Sequence, residues 1–556
     1  MPTGPDTAER RAPRAGAWRR WLIVTTVLAG IVTLPLVAVV WNVFTPRADV
    51  WAHLAQTRLW ALMGGTVSLL VAVGAMVAVL GIGLGWLVAT HRFPGRGFFE
   101  WALVLPLAMP AYVIGFTFIS VFDYGGPAAS LAGAAFGSAA WLPEPRSFGA
   151  LAVVMALVHY PYVYLLARAA FRDRSTQYLD AARSLGLRPI AAFRRLALPL
   201  ARPAIAAGLA LALMETLADF GTVSIFNHST LTVAVYRVWF GMFDRVAAGQ
   251  LATVLLLFAA GLIALERWGR GGARFAPSGS SAFASPRELR GHSRWMATTV
   301  CAAVFTLAFA LPTLVLVGWS VPALGDADVM GRFLPQARNS AIAAGAATVV
   351  CVAAALALAY AARLARRAFL DRLSHVALLG YAIPGSVIAV GVLGVLAVVD
   401  RATGATAAAL GAGTPPLLVT SAAGLLFAYV VRFLAVAYLP IRAGLDRIAP
   451  SIDETARVLG ASPMRQAVEV HGPLLWMSVL GAALLVFVDT MKEMPATMLI
   501  RPFGFDTLAV GVWQATTESL WVYAAPPSLA MVVVGSVVLV AVGRLARFHV
   551  PLGGTL

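Results

Sequence analysis

Two pairs of carboxylates lie inside long apolar runs. LALMETLADFGTVSIF carries Glu215 and Asp219, and LLVFVDTMKEMPATMLI carries Asp489 and Glu493. In each pair the acids are four residues apart, the spacing that puts two side chains on one face of a helix. A charge at bilayer depth costs at least a few kcal/mol, so such groups line a cavity or have partners. Oxygen-only ligands suit a hard cation such as ferric iron, and two pairs converging on one pathway would pass it. The alternative is structural: Lys492 and Arg501 neutralise Asp489 and Glu493 and hold the helix ends. Lys492 is the chain's one lysine. The two cysteines, Cys301 and Cys351, sit in apolar runs with neither disulfide nor metal-ligand spacing, and no set of metal ligands is assigned.

The elements that carry these acids are membrane helices. Of 556 residues, 60% are hydrophobic and 12% charged, and mean hydropathy is +0.82. That excludes an ordinary soluble enzyme, which is about 25% charged. About 20 apolar residues cross a bilayer, and twelve runs qualify. They are 21–44, 64–88, 101–122, 150–166, 203–225 and 246–265, then 296–319, 341–362, 376–399, 417–438, 474–500 and 529–542. The net charge of +17 is the arginine bias of cytoplasmic loops rather than a nucleic-acid surface. With a cytoplasmic amino terminus, 32 arginines fall on the cytoplasmic side and 9 on the other. Both termini are then cytoplasmic. The run 21–44 is too long for a signal-peptide core and reads as a retained span.

One offset relates the two halves. Adding 274 takes Ala182 to Ala456, Gly186 to Gly460, Pro199 to Pro473, Pro110 to Pro384, Glu215 to Asp489 and Asp219 to Glu493. The expected fold is therefore an all-α polytopic bundle of about 12 spans in two parallel six-helix repeats. Its parts are a basic terminus (1–20), a first unit (21–266), a cytoplasmic linker (267–295), a second unit (296–545) and a tail (546–556). The Gly-, Ser- and Arg-rich linker reads as a flexible connector. Pro110 and Pro384 fall within the third and ninth spans, where proline frees a carbonyl and kinks a helix. They are candidate gates. His159 reads as satisfied by packing, and Tyr160, Tyr162 and Tyr164 as packing or interfacial aromatics.

Between the fourth and fifth span of each unit a pattern repeats. It is Asp180-Ala181-Ala182, then Gly186 and Pro199, and again Glu454-Thr455-Ala456, then Gly460 and Pro473. Small residues permit close packing, Gly ends a short helix, and Pro sets the entry to the next span. The pattern predicts a short helix, a turn and a second helix across the cytoplasmic face. No Gly-rich phosphate loop ending in Lys-Ser or Lys-Thr occurs, so ATP belongs to another subunit.

This loop resembles the signature loop of ABC importer permeases, where a short helix docks into the ATPase subunit. Asp for the usual Glu at 180, Thr at 455 and Gly at 472 are mild departures. ETLADFGTVSIF, LTVAVYRVW, DTMKEMPATMLIRPFGFDTLAV and LPLAMPAYVIGF are similar to the fused permeases of ferric-iron ABC importers, over residues 20–545. The resemblance implies a bacterial inner-membrane pore subunit with no catalytic residue and no bound cofactor. It implies two ATPase subunits that bind the ATP, a periplasmic or lipid-anchored solute-binding protein, and lipid around the bundle, with no nucleic acid. The implied cargo is ferric iron. Thiamine or another small solute is the alternative within the class, and an ion-coupled secondary transporter the alternative outside it.

Overall fold

The computed structural model describes residues 15–138, 142, 144–184, 189–270, 286–365, 368–411, 413 and 417–548. The basic terminus 1–14, Gly186, most of the connector (271–285) and the tail from 549 lie outside them. So do the side chains at 180–182, although those residues belong to the helix Phe148–Ser184.

Long apolar runs become helices because only a helix satisfies its own backbone in lipid. Eleven described helices are long and apolar enough to cross a membrane, and the bent pair Arg96–Ala108 and Ala111–Phe136 brings the number to twelve. The all-α polytopic bundle is thus as expected, but several spans are interrupted. The third turns by 94° at Met109 and Pro110, both in extended conformation. Its partner in the second half breaks at Ile383 and Pro384 in the same way. These prolines do not kink a continuous helix, as the sequence suggested. Each stands just before a new helix, where its missing N–H costs nothing. The fifth and eleventh spans, read as continuous, also break. Leu198–Ala218 ends at Asp219 and restarts as Gly221–Ile225. Gly472–Lys492 ends at Glu493 and restarts as Pro495–Ile500. A buried short helix follows each restart, Leu231–Gly241 and Leu508–Thr517. Neither was read as a helix, because each is too short to span.

Proline leaves a second mark. Pro199, Pro312 and Pro473 each follow by two residues a π-helical turn, Phe193–Ala197, Thr306–Ala310 and Gln466–His471. A proline removes one N–H from the ladder, and the wider turn absorbs the fault without ending the helix. The helix entering each fifth-type span therefore runs on continuously, as Ile190–Ala218 and Pro463–Lys492. It does not lie across the face as a separate element.

The halves interlock. The first helix, Ala15–Trp41, packs chiefly on Ala327–Ala365, Ala368–Ala377 and Gly385–Ala409 of the second half. A Cβ on Gly391 would lie 2.2 Å from the Pro35 carbonyl, so glycine permits this crossing. Phe98 meets Phe305 edge-on, and Phe116 stacks on Trp521 across the same seam. Before the second half begins, Arg287–Glu288 pairs in parallel with His91–Arg92. The connector's described end is therefore fastened to the first unit.

Within the first half, Leu59–Thr90, Phe148–Ser184 and Leu198–Ala218 pack closely. A Cβ on Gly208 would stand 2.8 Å from both the Tyr162 carbonyl and the Val163 Cα. Overpacking that forces backbone apart costs about 1–3 kcal/mol. Gly208→Leu is expected to lower thermal stability in detergent by that amount. Gly83→Leu, whose Cβ meets nothing within 4 Å, leaves it unchanged. Equal melting curves for the two variants would refute this packing.

Candidate functional site

Three of the four helix breaks, at Met109 and Pro110, at Asp219 and at Glu493, line one cavity between the halves, and Tyr381, just before the fourth, lines it too. The cavity has a volume of about 150 Å³, and all four acids named from the sequence line it: Glu215, Asp219, Asp489 and Glu493. Pro110 lines it as well; Pro384 does not, although a Cβ on the adjoining Gly385 would approach Glu493 Oε1 at 2.5 Å.

The acids divide into two kinds. Asp219 and Glu493 are helix caps. Asp219 accepts from the Thr222 and Val223 amides at 2.8 and 3.2 Å and from the Thr222 hydroxyl at 2.8 Å. Glu493 accepts from the Ala496 and Thr497 amides, both at 3.0 Å, and from the Thr497 hydroxyl at 2.8 Å. The restarted helices expose free amides at their first turns, and a carboxylate satisfies them and complements the dipole. The offset of 274 maps each of these amide bonds onto its counterpart.

Glu215 and Asp489 are not caps. Asp489 pairs with Lys492 at 3.2 Å, as the structural alternative expected. Glu215 makes no hydrogen bond or ion pair among the described residues. Arg501 does not reach Glu493; it pairs with Asp506. Arg432 takes that place, its Nε 3.8 Å from Glu493 and its Nη1 donating to the Ile383 carbonyl at 3.0 Å. Lys492 likewise donates to the Leu107 carbonyl at 3.2 Å. Both cations thus reach carbonyls at or near the breaks.

Sequence reading missed Arg432 because it was counted with the basic loop ends; its place in YVVRFLAVAYLP, six residues before the run ends, was the available signal. Tyr162, read as a packing or interfacial aromatic, lines the cavity instead, and so does Tyr381, which the sequence reading did not name. Tyr160 and Tyr164 are packing residues as expected, donating to the Leu103 and Glu100 carbonyls. His159 is buried but not merely packed: it lines the cavity, and its Nδ1 is 3.2 Å from the Thr216 hydroxyl. Among the described residues no three of His, Cys, Asp and Glu are arranged to hold a metal ion.

The second loop motif forms a short helix, Pro450–Val458. Gly460 is left-handed at φ +80°, its amide donating to Arg457 and that of Ala461 to Ala456. These two bonds close the helix as a Schellman cap. Glu454 and Thr455 face outward while Ala456 is buried. Val458, Leu459 and Met464 stand exposed at 87%, 79% and 73%, an apolar surface that none of the described residues covers. On its inner side, Asp453 accepts from Arg363 Nε and Nη2 at 3.0 and 3.1 Å and faces His471 Nε2 at 2.7 Å. Arg363 also donates to the Leu445 and Ile448 carbonyls. This network ties the loop helix to three spans.

A family model described as binding-protein-dependent transport system inner membrane component matches residues 81–266. The chain is 30% identical over 243 residues to the sulfate transport system permease protein CysT of Salmonella typhimurium, covering 42% of this chain and 84% of that one. The chain belongs to this permease family. The permease is also 26% identical over 524 residues to the Fe(3+)-transport system permease protein FbpB 2 of Haemophilus influenzae, covering 92% and 96% of the two chains. A probable molybdenum ABC transporter permease protein of Haloferax volcanii is 28% identical over 254 residues, covering 44% and 89%. The permease is a multi-pass transport subunit of the ABC importer class.

Burial works to raise the Asp453 carboxyl, but the Arg363 and His471 hydrogen bonds outweigh it and hold the group below its ordinary 3.8. A depressed carboxylate stabilises the fold above its unfolded pKa, and that gain is lost as pH falls through the folded one. The melting temperature of Asp453→Asn is expected to lie below that of the unmodified permease at pH 7. The gap narrows as pH drops below 3.8. A gap independent of pH would show that the ion network does not stabilise this corner.

Proposed function

We propose that this permease is the translocation pore of an ATP-driven ferric-iron importer. The lining of the cavity between the halves carries that reading. Four carboxylates face it against two cations, Arg432 and Lys492, and Tyr162 and Tyr381 add phenol oxygens. With all six charges formed the lining is net negative, which repels an anion such as sulfate and attracts a hard cation. Its volume of about 150 Å³ holds an ion with part of its water shell. Sites for drug-sized organic molecules occupy roughly 300–1,000 Å³, which disfavours thiamine. The near full-length similarity to the Fe(3+) permease FbpB 2 points the same way.

The division of the acids supports two roles. Asp219 and Glu493 hold the breaks in shape, and Glu215 and Asp489 meet the cargo. Residues 21–266 and 296–545 act as the two permease units. Two ATPase subunits dock on the loops around Asp180, Ala181, Ala182, Gly186 and Pro199, and around Glu454, Thr455, Ala456, Gly460 and Pro473. These loops and both termini lie on the cytoplasmic side of the bacterial inner membrane. A solute-binding protein delivers iron to the opposite face. ATP binds and is hydrolysed on the partner subunits; this chain moves cargo and performs no chemistry. Closure of the ATPases draws the loop helices together, and Arg363, Asp453 and His471 pass that movement to the spans.

The test is labelled ferric-iron uptake in iron-starved cells lacking the chromosomal permease and complemented with this chain. Uptake is expected to return. Gly186→Arg with Gly460→Arg should abolish it by blocking docking, and equal amounts of variant and unmodified chain in the membrane check that the left-handed backbone at 460, φ +80°, accepts the change. Glu215→Gln with Asp489→Asn is expected to reduce uptake at least tenfold at equal expression. A complemented strain that takes up no more iron than the deletion strain would overturn the cargo. Full uptake by the stably expressed docking variant would overturn ATPase coupling.

A further inference from the structure

Among the described residues that line the cavity, Lys492 is the cation whose direct bonds reach both halves. Its Nζ lies 3.2 Å from Asp489 Oδ1, on its own helix, and 3.2 Å from the Leu107 carbonyl of the first half. Leu107 belongs to the 3-10 turn Leu105–Ala108, just before the break at Met109 and Pro110. The one ammonium therefore neutralises a cavity carboxylate and fastens the interrupted helix of the opposite half.

Arg432 is held differently. It donates to Ile383 and faces Glu493, both within the second half, and Glu493 is itself fixed by three bonds from its own helix turn. The offset of 274 puts Ala218 opposite Lys492 and Val158 opposite Arg432, so the first half has no equivalent of either cation. The bridge is one-sided. Across the cavity Glu215 has no hydrogen-bond or ion-pair partner among the described residues.

We propose that Lys492 is a displaceable counter-cation that sets the charge a cargo needs. A cargo ion reaches Glu215, competes for Asp489, and frees the ammonium. Freeing it also releases Leu107, and with it one of the bonds that join the halves at the cavity. At equal distance a trivalent ion attracts a carboxylate three times as strongly as an ammonium and half again as strongly as a divalent ion. The lysine charge is a point on a flexible stem, suited to leaving and returning. The role rests on the cation-cargo reading above and makes Lys492 a specificity-determining residue for it.

Because Lys492 is the only lysine in the chain, its release can be read without mutation. The purified importer would be treated with an amine-methylating reagent, and modification of the Lys492 peptide quantified by mass spectrometry. The probes are ferric nitrilotriacetate, redox-inert gallium(III) nitrilotriacetate, manganese(II) and no metal. At least threefold more modification is expected with either trivalent ion than with manganese or none. In cells, Lys492→Met is expected to let a tenfold excess of manganese inhibit iron uptake, whereas Lys492→Arg keeps the unmodified resistance. Equal labelling under all four conditions, in an importer whose cells do take up iron, would overturn the role of Lys492 and leave the proposed function standing. Absence of iron uptake by the unmodified permease would instead defeat the cargo reading, and the gallium comparison would still judge the counter-cation.

Discussion

Backbone that leaves a helix inside a membrane must find its hydrogen bonds within the protein, because lipid offers none. The centre of this permease is organised by that requirement. Four spans are interrupted around one cavity, and each break has polar side chains beside it. Asp219 and Glu493 take the free amides of the restarted helices; Arg432 and Lys492 reach carbonyls at or near the other two breaks. An unsatisfied group there would cost several kcal/mol. The charged residues that look most like cargo ligands are thus in part the residues that make an open cavity possible at all.

This double duty explains why charges can be kept at bilayer depth. A carboxylate that caps a helix is held by two amides and a hydroxyl, and its position is fixed by the helix it begins. Glu215 and Asp489, one turn earlier, are then left pointing into a space whose walls are already set. The second half supplies both cations, and the first supplies Glu215, the carboxylate with no hydrogen bond or ion pair among the described residues. The duplicated chain has therefore become electrostatically unequal while its backbone repeats.

The peripheral end follows the same economy of local bonds. Gly460 closes the loop helix by adopting a left-handed conformation, and Asp453 receives Arg363 and His471 on its inner side. The outer side is left to Val458, Leu459 and Met464. Proline at 473 leaves a π-helical turn in the helix beyond. The loop helix is thus stiffly joined to its spans, with an exposed apolar outer side.

Helices, their number and the tandem repeat were legible in the sequence, because apolar length and a fixed offset are properties of the chain itself. So were the four acids, since carboxylates in apolar runs stand out whatever surrounds them, and so was the Asp489–Lys492 pair at three residues' separation. Contacts between distant segments were not legible. Arg432 could not be matched to Glu493, nor Lys492 to Leu107, because each bond joins residues whose approach depends on how whole spans cross. Pro110 and Pro384 marked the right places but not the right geometry: a proline's ring forbids an N–H bond without saying whether the helix bends or stops. Asp219 and Glu493 became caps through bonds within their own turns, while only the packing of one half against the other decided which acids faced the cavity and which cation crossed between them.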